Sequence, residues 1–371
     1  MNLSKKILIL SNHFITLYSF RKELILRLVE AGNEVYISMP ESAENKFFLD
    51  LGCNIIATPV DRRGVNPLRD LKLTYDYFKI MSNLDPDVIL SYTVKPNIYG
   101  CIASNFTKHP QISNITGTGA TFLKKSIVST IAKQLYRFSV KKSYKVFFQN
   151  NGDKDYFIQN KMIENNYALL PGSGVNLEQY TVSEFPSDTS TKFIYIGRIM
   201  KVKGVEQYLE CAQKISAQYP NTQFYMAGFI EESEYKQKID EYHKKEIIHY
   251  LGFQKDIKEW IRQCHCTILP SHGGEGVPNV LLETSAMGRV CIASAINGSR
   301  DVVEDGVTGY LFEPGNSGDL TEKVNRFIGL CYEDKKSMGL AGRTKVEKEF
   351  DRKIVINTYL DEITKLGSKG V

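Results

Sequence analysis

The chain has 371 residues, of which 42% are hydrophobic and 24% charged, with a net charge of +5. That length suggests two domains, and the composition is that of an ordinary globular protein rather than a disordered or fibrous one. No apolar run approaches the roughly 18 residues that a membrane span needs.

The first element is a short buried strand over residues 6–10. Its basic start, MNLSKK, is followed by an apolar core too short for a signal peptide, so the segment is expected to stay in the mature chain. A loop over 11–19, a helix over 20–31 ended by Gly32, and a second strand over 34–38 complete a β-α-β opening, which predicts a parallel sheet. Arg21, at the start of that helix, reads on its residues alone as a solvated position. A strand over 54–58 and a helix over 68–84 come next, then Asp85-Pro86-Asp87 before a strand over 88–92. The Asp-x-Asp spacing suggests a metal clamp, but the proline and the apolar run after it favour a turn. Residues 93–100 leave the carboxyl end of that strand, where α/β proteins bind ligands, so Lys95 is a candidate for a phosphate as well as an ordinary surface lysine. Thr116 and Gly117-Thr118-Gly119 follow another strand over 112–116, and the glycines permit close backbone approach.

Residues 124–145 hold seven basic side chains and no acid. Lys133, Arg137, Lys141 and Lys145 recur every fourth residue and would form one stripe on a helix, beside a second stripe of Ile127, Ile131 and Leu135. Like charges at that spacing weaken a helix, so helix stability does not explain them. They read as a surface for anionic lipid headgroups or a lipid diphosphate, or as the solvated face of a packed helix. The imbalance is local: residues 1–182 carry 22 Lys+Arg against 15 Asp+Glu, and the remainder carries 25 against 27. A basic first half points to an anionic partner. No nucleic-acid-binding motif accompanies it, so a membrane surface or diphosphate fits better. A strand over 146–149, a helix near 153–161 and a strand over 168–170 lead to PGSGVN at 171–176. The polar stretch 183–191 reads as the domain boundary, giving domains over 1–182, with a returning helix in 350–371, and over 188–349.

The second half restarts the alternation: strand 193–196, loop 197–204, helix 205–218, strand 223–227 and helix 231–244. In the loop, Arg198 offers a planar fork suited to a diphosphate and Lys203 a compact second charge. Cys264-His265-Cys266 lacks zinc spacing, and the seven scattered cysteines read as free thiols in a reducing cytoplasm. Residues 270–294, PSHGGEGVPNVLLETSAMGRVCIAS, read as strand end, glycine-rich turn, helix and next strand. A helix that starts at such a turn points free N–H groups at an anion. Glu275 in the turn and Glu283 a turn into the helix are acceptors suited to sugar hydroxyls and a ribose diol. Phosphate at the helix end with carboxylates on both sides suggests a nucleotide-sugar site.

Glu275 and Glu283 stand in EGVPNVLLE, and Gly197-Arg198 and Lys203-Gly204 in GRIMKVKG, in that family's order. The chain thereby resembles, from Ile7 to about Tyr359, the family-4 glycosyltransferases, whose motifs are E-x7-E and GR…KG. The resemblance implies the GT-B fold, two Rossmann-like domains facing across a cleft, and retaining transfer without a metal or cofactor. It implies that Arg198 and Lys203 meet the leaving diphosphate, Glu275 orients the sugar, and Glu283 binds the ribose. Gly197, Gly276, Val277, Pro278 and Asn279 would line the donor, with Phe253 and Ile257 at the base. Val277-Pro278-Asn279 is similar to members that use UDP-N-acetylhexosamines. Ser19-Phe20-Arg21 is similar to members that act on polyprenyl-diphosphate-linked sugars, with Lys95, Thr116 and Gly117 toward the acceptor. The family often has a histidine near Thr116, and this chain has none there. The expected setting is the inner face of the cell membrane, bound peripherally. A UDP-sugar epimerase of the same architecture, which should lack E-x7-E, and a non-catalytic nucleotide-binding module are the alternatives.

Overall fold

The structure is a computed structural model, and it describes residues 4–61, 64, 66–117 and 127–367. The chain divides into two units, 1–173 with 353–371, and 174–352. In the first, β1 (Lys6–Leu10), β2 (Glu34–Met39), β3 (Asn54–Ala57), β4 (Val88–Tyr92), β5 (Gln111–Ile115), β6 (Lys145–Phe148) and β7 (Tyr167–Leu169) pair in the order β3-β2-β1-β4-β5-β6-β7. Every pairing is parallel, with Ile9 opposite Ile37 on one side and Leu90 on the other. Parallel strands are covered on both faces, which is why β1 and β4 read as unbroken apolar runs rather than alternating ones. Ile7, Ile9 and Leu90 pack with helices Lys22–Glu30 and Arg352–Gly367 on one face. Leu8, Leu10 and Ile89 pack with Leu73, Tyr77 and Met81 of helix Pro67–Leu84 on the other.

The second unit repeats the scheme with β8 (Thr191–Ile196), β9 (Thr222–Ala227), β10 (His249–Gly252), β11 (Cys266–Leu269), β12 (Val290–Ser294) and β13 (Gly309–Phe312), ordered β10-β9-β8-β11-β12-β13 and again parallel. In each sheet the order reverses once, between β1 and β4 and between β8 and β11. The carboxyl ends of the strands that flank such a reversal are the usual ligand position of open parallel sheets.

Several boundaries differ from the sequence reading. Residues 11–19 are not all loop: Phe14–Phe20 is a helix whose first turn is capped by the His13 ring, which accepts from the Ile15 N–H. The chain leaves the first unit at Ser173, earlier than the polar stretch suggested. Leu177 and Tyr180 pack on the second unit's core, and the Tyr180 carbonyl accepts from Arg343 at 2.8 Å. Asp85 ends its helix in a left-handed conformation and meets His109 at 3.0 Å, and Asp87 accepts from the Lys6 N–H at 2.7 Å. Both aspartates therefore hold the fold. All seven cysteines are unpaired, and six are buried. Cys264 and Cys266 are fully enclosed, and burial pushes the Cys264 thiol up to about 12. Among the described residues no helix is long and apolar enough to cross a membrane.

The basic stripe does not survive as one helical face. The helix ends at Ser139, Val140–Lys142 is a tight turn, and Lys145 opens β6. The Lys133 ammonium lies 5.3 Å from the Tyr156 ring centre, Lys141 pairs with Glu164 at 2.8 Å, and only Arg137 of the four is an exposed helical residue. Fourfold spacing cannot foresee a break that Val140, buried in the core, imposes. Lys124, and the side chain of Ile127, lie outside the described residues.

Candidate active site

Two loops leave the strands that flank the reversal in the second sheet: residues 197–204 after β8 and 270–278 after β11. Glycines bring them together. Gly204 has φ +71, and a Cβ there would lie 1.9 Å from the Pro270 carbonyl oxygen, so only glycine lets the first loop press against the second. The His272 N–H donates to the Val202 carbonyl at 2.8 Å and extends the contact. Gly298 approaches the Gly276 carbonyl so closely that a Cβ would meet it at 1.5 Å, which fixes the loop from the other side.

This scaffold sets Lys203 against Glu275. The Lys203 ammonium pairs with one Glu275 carboxylate oxygen, which also accepts from the Ser271 hydroxyl at 2.9 Å. Both charged groups are mostly buried, at 19% and 18% side-chain exposure, so water screens the pair less than a surface pair. Arg198 is more open, and its guanidinium lies 4.0 Å from Glu231. The Tyr195 hydroxyl donates to the Arg198 carbonyl at 2.7 Å and holds the Gly197-Arg198 corner. Burial raises the Tyr195 pKa, and the nearby Glu275 charge raises it further.

The helix that follows, Asn279–Ala286, starts after Pro278 without a side-chain cap among the described residues, and the Leu281 N–H donates to the Pro278 carbonyl at 3.1 Å, so no side chain competes for the N–H groups ahead of it. Val277 is core, 3% exposed, and Gly276 and Pro278 are buried too. These three can therefore offer a ligand backbone rather than side chains. The Asn279 side-chain oxygen is buried without a hydrogen-bond partner among the described residues. Burial pushes the Glu283 carboxyl up to about 7, against a hydrogen bond from Tyr180 and the charge of Arg352, which both pull it down. Arg352 is itself fixed by donating to the Gly174 carbonyl at 3.0 Å. Phe253 is 69% exposed, while Ile257 packs with Leu251 and Trp260.

Sequence reasoning missed Ser271, Tyr180, Arg352, Gly298 as a spacer, and Gly228, whose φ of +147 sets it against the Gly197 carbonyl. The glycines had a visible signal, each standing just after an apolar strand; Tyr180 and Arg352 had none. In the first unit, Lys95 does not stand free. Its ammonium meets Asp70 at 2.6 Å, and the Tyr99 hydroxyl donates to the same carboxylate at 2.9 Å. Thr116 is exposed after β5, Gly117 has φ +126, and Thr118 and Gly119 lie outside the described residues. Arg21 is not solvated but 2% exposed. The Cys264-His265-Cys266 run is structural: the His265 ring accepts from the Lys192 N–H at 3.1 Å, and burial lowers its pKa to about 4.

The family model "Glycosyl transferases group 1" matches residues 178–345, which contain both motif loops and Glu283, and "Glycosyl transferase 4-like" matches residues 6–150. The protein belongs to the group 1, GT4-like glycosyltransferases. It is 26% identical over 95% of its length, and 96% of the relative's, to the Campylobacter jejuni N,N'-diacetylbacillosaminyl-diphospho-undecaprenol alpha-1,3-N-acetylgalactosaminyltransferase. It is 24% identical over 80% of its length, and 79% of the relative's, to the Escherichia coli UDP-Gal:alpha-D-GlcNAc-diphosphoundecaprenol alpha-1,3-galactosyltransferase. Among solved structures, Anabaena HepE in complex with UDP and glucose superposes with a TM-score of 0.80 at 18% identity, covering 97% of this chain and 99% of that one. The fold is therefore GT-B, and the enzyme class is glycosyl transfer.

Proposed function

We propose that this glycosyltransferase moves an N-acetylhexosamine, N-acetylgalactosamine or N-acetylglucosamine, from a UDP-sugar to an undecaprenyl-diphosphate-linked saccharide, with retention, in the synthesis of a surface polysaccharide or glycan. The observation that carries it is Lys203 held against Glu275 where the two motif loops meet beside the start of helix Asn279–Ala286. The Campylobacter relative, similar over nearly the whole chain, supports the lipid-linked acceptor and the N-acetylated sugar.

In this reading the diphosphate lies over the helix start, where N–H groups and the helix dipole favour an anion. Arg198 and Lys203 stabilise the charge that develops as the bond between the anomeric carbon and the UDP oxygen breaks. The acceptor hydroxyl oxygen forms the new bond on the same face and gives its proton to a leaving phosphate oxygen, so neither a side-chain base nor a metal is invoked. Glu283 accepts from the ribose diol and Glu275 orients the sugar, while Phe253 and Ile257 flank the base.

The protein acts at the inner face of the membrane, bound peripherally. Helix Pro67–Leu84 supports this: Leu68, Leu71 and Tyr75, spaced three and four apart, are 79%, 68% and 55% exposed. Lys72 and Lys79 flank the stripe, and the Lys79 ammonium lies 4.8 Å from the Tyr75 ring centre. Apolar side chains beside lysines suit an anionic headgroup layer.

The deciding experiment measures UDP release from a panel of UDP-sugars with and without a polyprenyl-diphosphate-linked saccharide. Release from a UDP-N-acetylhexosamine that depends on the lipid-linked acceptor is expected. Acceptor-independent conversion of the donor to its epimer would overturn the reading.

A further inference from the structure

Two cations stand near the strands that flank the reversal in the first sheet. Lys95, just past β4, is neutralised by Asp70. Arg21 is not. Its side chain is 2% exposed, and among the described residues no carboxylate lies within ion-pair distance of it. One guanidinium nitrogen donates to the Phe20 carbonyl at 2.7 Å, Nε has no partner, and the group lies 5.0 Å from the ring centre of Tyr92, the last residue of β4. A cation taken out of water and left without a counter-charge costs stability, and an anionic ligand beside it would offset that cost.

The surroundings are under-satisfied and strained in the same place. Among the described residues the Thr93 hydroxyl is buried without a partner, as is the side-chain oxygen of Asn114 on the adjacent strand β5, while the buried Tyr92 hydroxyl has Arg21 and Tyr359 as its polar neighbours. Thr93 has φ +74, a costly conformation for a β-branched residue. Such strain gathers at ligand sites, where the rest of the fold over-determines the backbone. Asn114 donates to the Tyr359 hydroxyl at 2.6 Å, and Tyr359 lies 6.4 Å from Tyr92, so the polar groups form one cluster fixed by the returning helix.

We propose that Arg21, with the Thr93 and Tyr92 hydroxyls, is the binding site for a diphosphate group on the first unit, that of the lipid-linked acceptor. The site rests on the acceptor reading above but stands on its own geometry. Guanidinium presents paired donors to phosphate oxygens, and the hydroxyls supply further donors.

The test uses the full chain saturated with UDP, so that the second unit's own anion site is occupied, and titrates it with geranyl diphosphate and with inorganic pyrophosphate. Wild type is expected to bind both, geranyl diphosphate more tightly if the anion is lipid-borne and equally if a free anion suffices. Arg21→Met is expected to weaken both at least tenfold, leave UDP affinity within twofold, and keep or raise Tm, because it removes an uncompensated buried charge. Arg21→Lys, which keeps the charge and loses the fork, is expected to weaken both ligands with Tm unchanged. It carries the test if the methionine variant does not fold. Unchanged diphosphate affinity in either folded variant, or a fall in Tm with UDP and diphosphate binding lost together, would overturn the proposal. Sugar transfer separates it from the functional reading. Diphosphate binding without transfer to a lipid-linked saccharide leaves the site standing and removes the reading, and full transfer by Arg21→Met does the reverse.

Discussion

Glu283 is the residue whose environment says most about its use. Burial holds its pKa at about 7, well above its ordinary 4.5, which favours the neutral acid unless hydroxyl donors stabilise the carboxylate. A folded-state pKa above the unfolded one contributes stability that is complete below about pH 4.5 and is lost as pH rises through about 7. Wild type is therefore expected to lose up to ~3 kcal/mol across that window relative to Glu283→Gln, read as Tm against pH. If Glu283 accepts from the ribose, Glu283→Ala is also expected to weaken UDP binding at least tenfold without unfolding the chain; unchanged affinity by calorimetry would remove the assignment. Arg198 and Lys203 are expected to act on turnover instead. Replacing either with Ala should raise the barrier by about 2–4 kcal/mol, the usual cost of losing a preorganised electrostatic contact. Activity within a few-fold of wild type for both would take them out of the mechanism, and a strict requirement for Mg²⁺ or Mn²⁺ would contradict metal-free transfer.

At the scale of elements, the site is made by loops that glycine allows to touch. Gly204→Ala places a methyl on the Pro270 carbonyl oxygen and a side chain at φ +71, so the Lys203 loop must lift away from Glu275. The variant is expected to lose more than ~1 kcal/mol of stability by denaturant unfolding and most of its turnover. Wild-type activity there would show that the contact between loops is dispensable. The helix Pro67–Leu84 presents a different case, since its buried side holds Leu73, Tyr77 and Met81 while Leu71 and Tyr75 face outward. Leu71→Ser with Tyr75→Ser is expected to cut sedimentation with phosphatidylglycerol vesicles several-fold while leaving transfer to a short soluble acceptor intact. Undiminished vesicle binding, or loss on both acceptors alike, would argue against docking through this face.

For the whole molecule, the last helix decides how the first unit is closed. Val355, Ile356, Tyr359 and Ile363 of Arg352–Gly367 complete the core that begins with Ile7 and Ile9. Tyr359 is fully buried, 4.9 Å from the Phe147 ring centre and bonded to Asn114. Tyr359→Ala is expected to cost about 3–5 kcal/mol, as for other large aromatic truncations, and to broaden or split the thermal transition because one unit is weakened more than the other. A single unshifted transition by calorimetry would show that the helix is not integral to that core. The outgoing and returning segments meet at Val175 and Asp351, paired as a parallel bridge, so this closure depends on contacts between residues far apart in sequence.

The sequence by itself determined what repeats locally. Apolar runs of strand length alternating with helices imply parallel sheets, because short-range spacing fixes which residues can share an element, and the resemblance carried by GRIMKVKG and EGVPNVLLE implies a loop pair for a nucleotide sugar. The pairing of Lys203 with Glu275 was not legible in that way: the sequence places each residue in its own loop, and only the adjacency of β8 and β11 brings the two loops together. What only the tertiary structure decided is the charge state of the surroundings. Nothing in the order of residues says that Asp70 neutralises Lys95, that Val140 breaks the basic stripe, or that Arg352 reaches the neighbourhood of Glu283. Nor does it say that Arg21 is buried with no carboxylate within ion-pair distance among the described residues. Burial and pairing depend on which distant segments the fold brings together, and electrostatic cost depends on both, so a cation's role is settled only where the chain closes on itself.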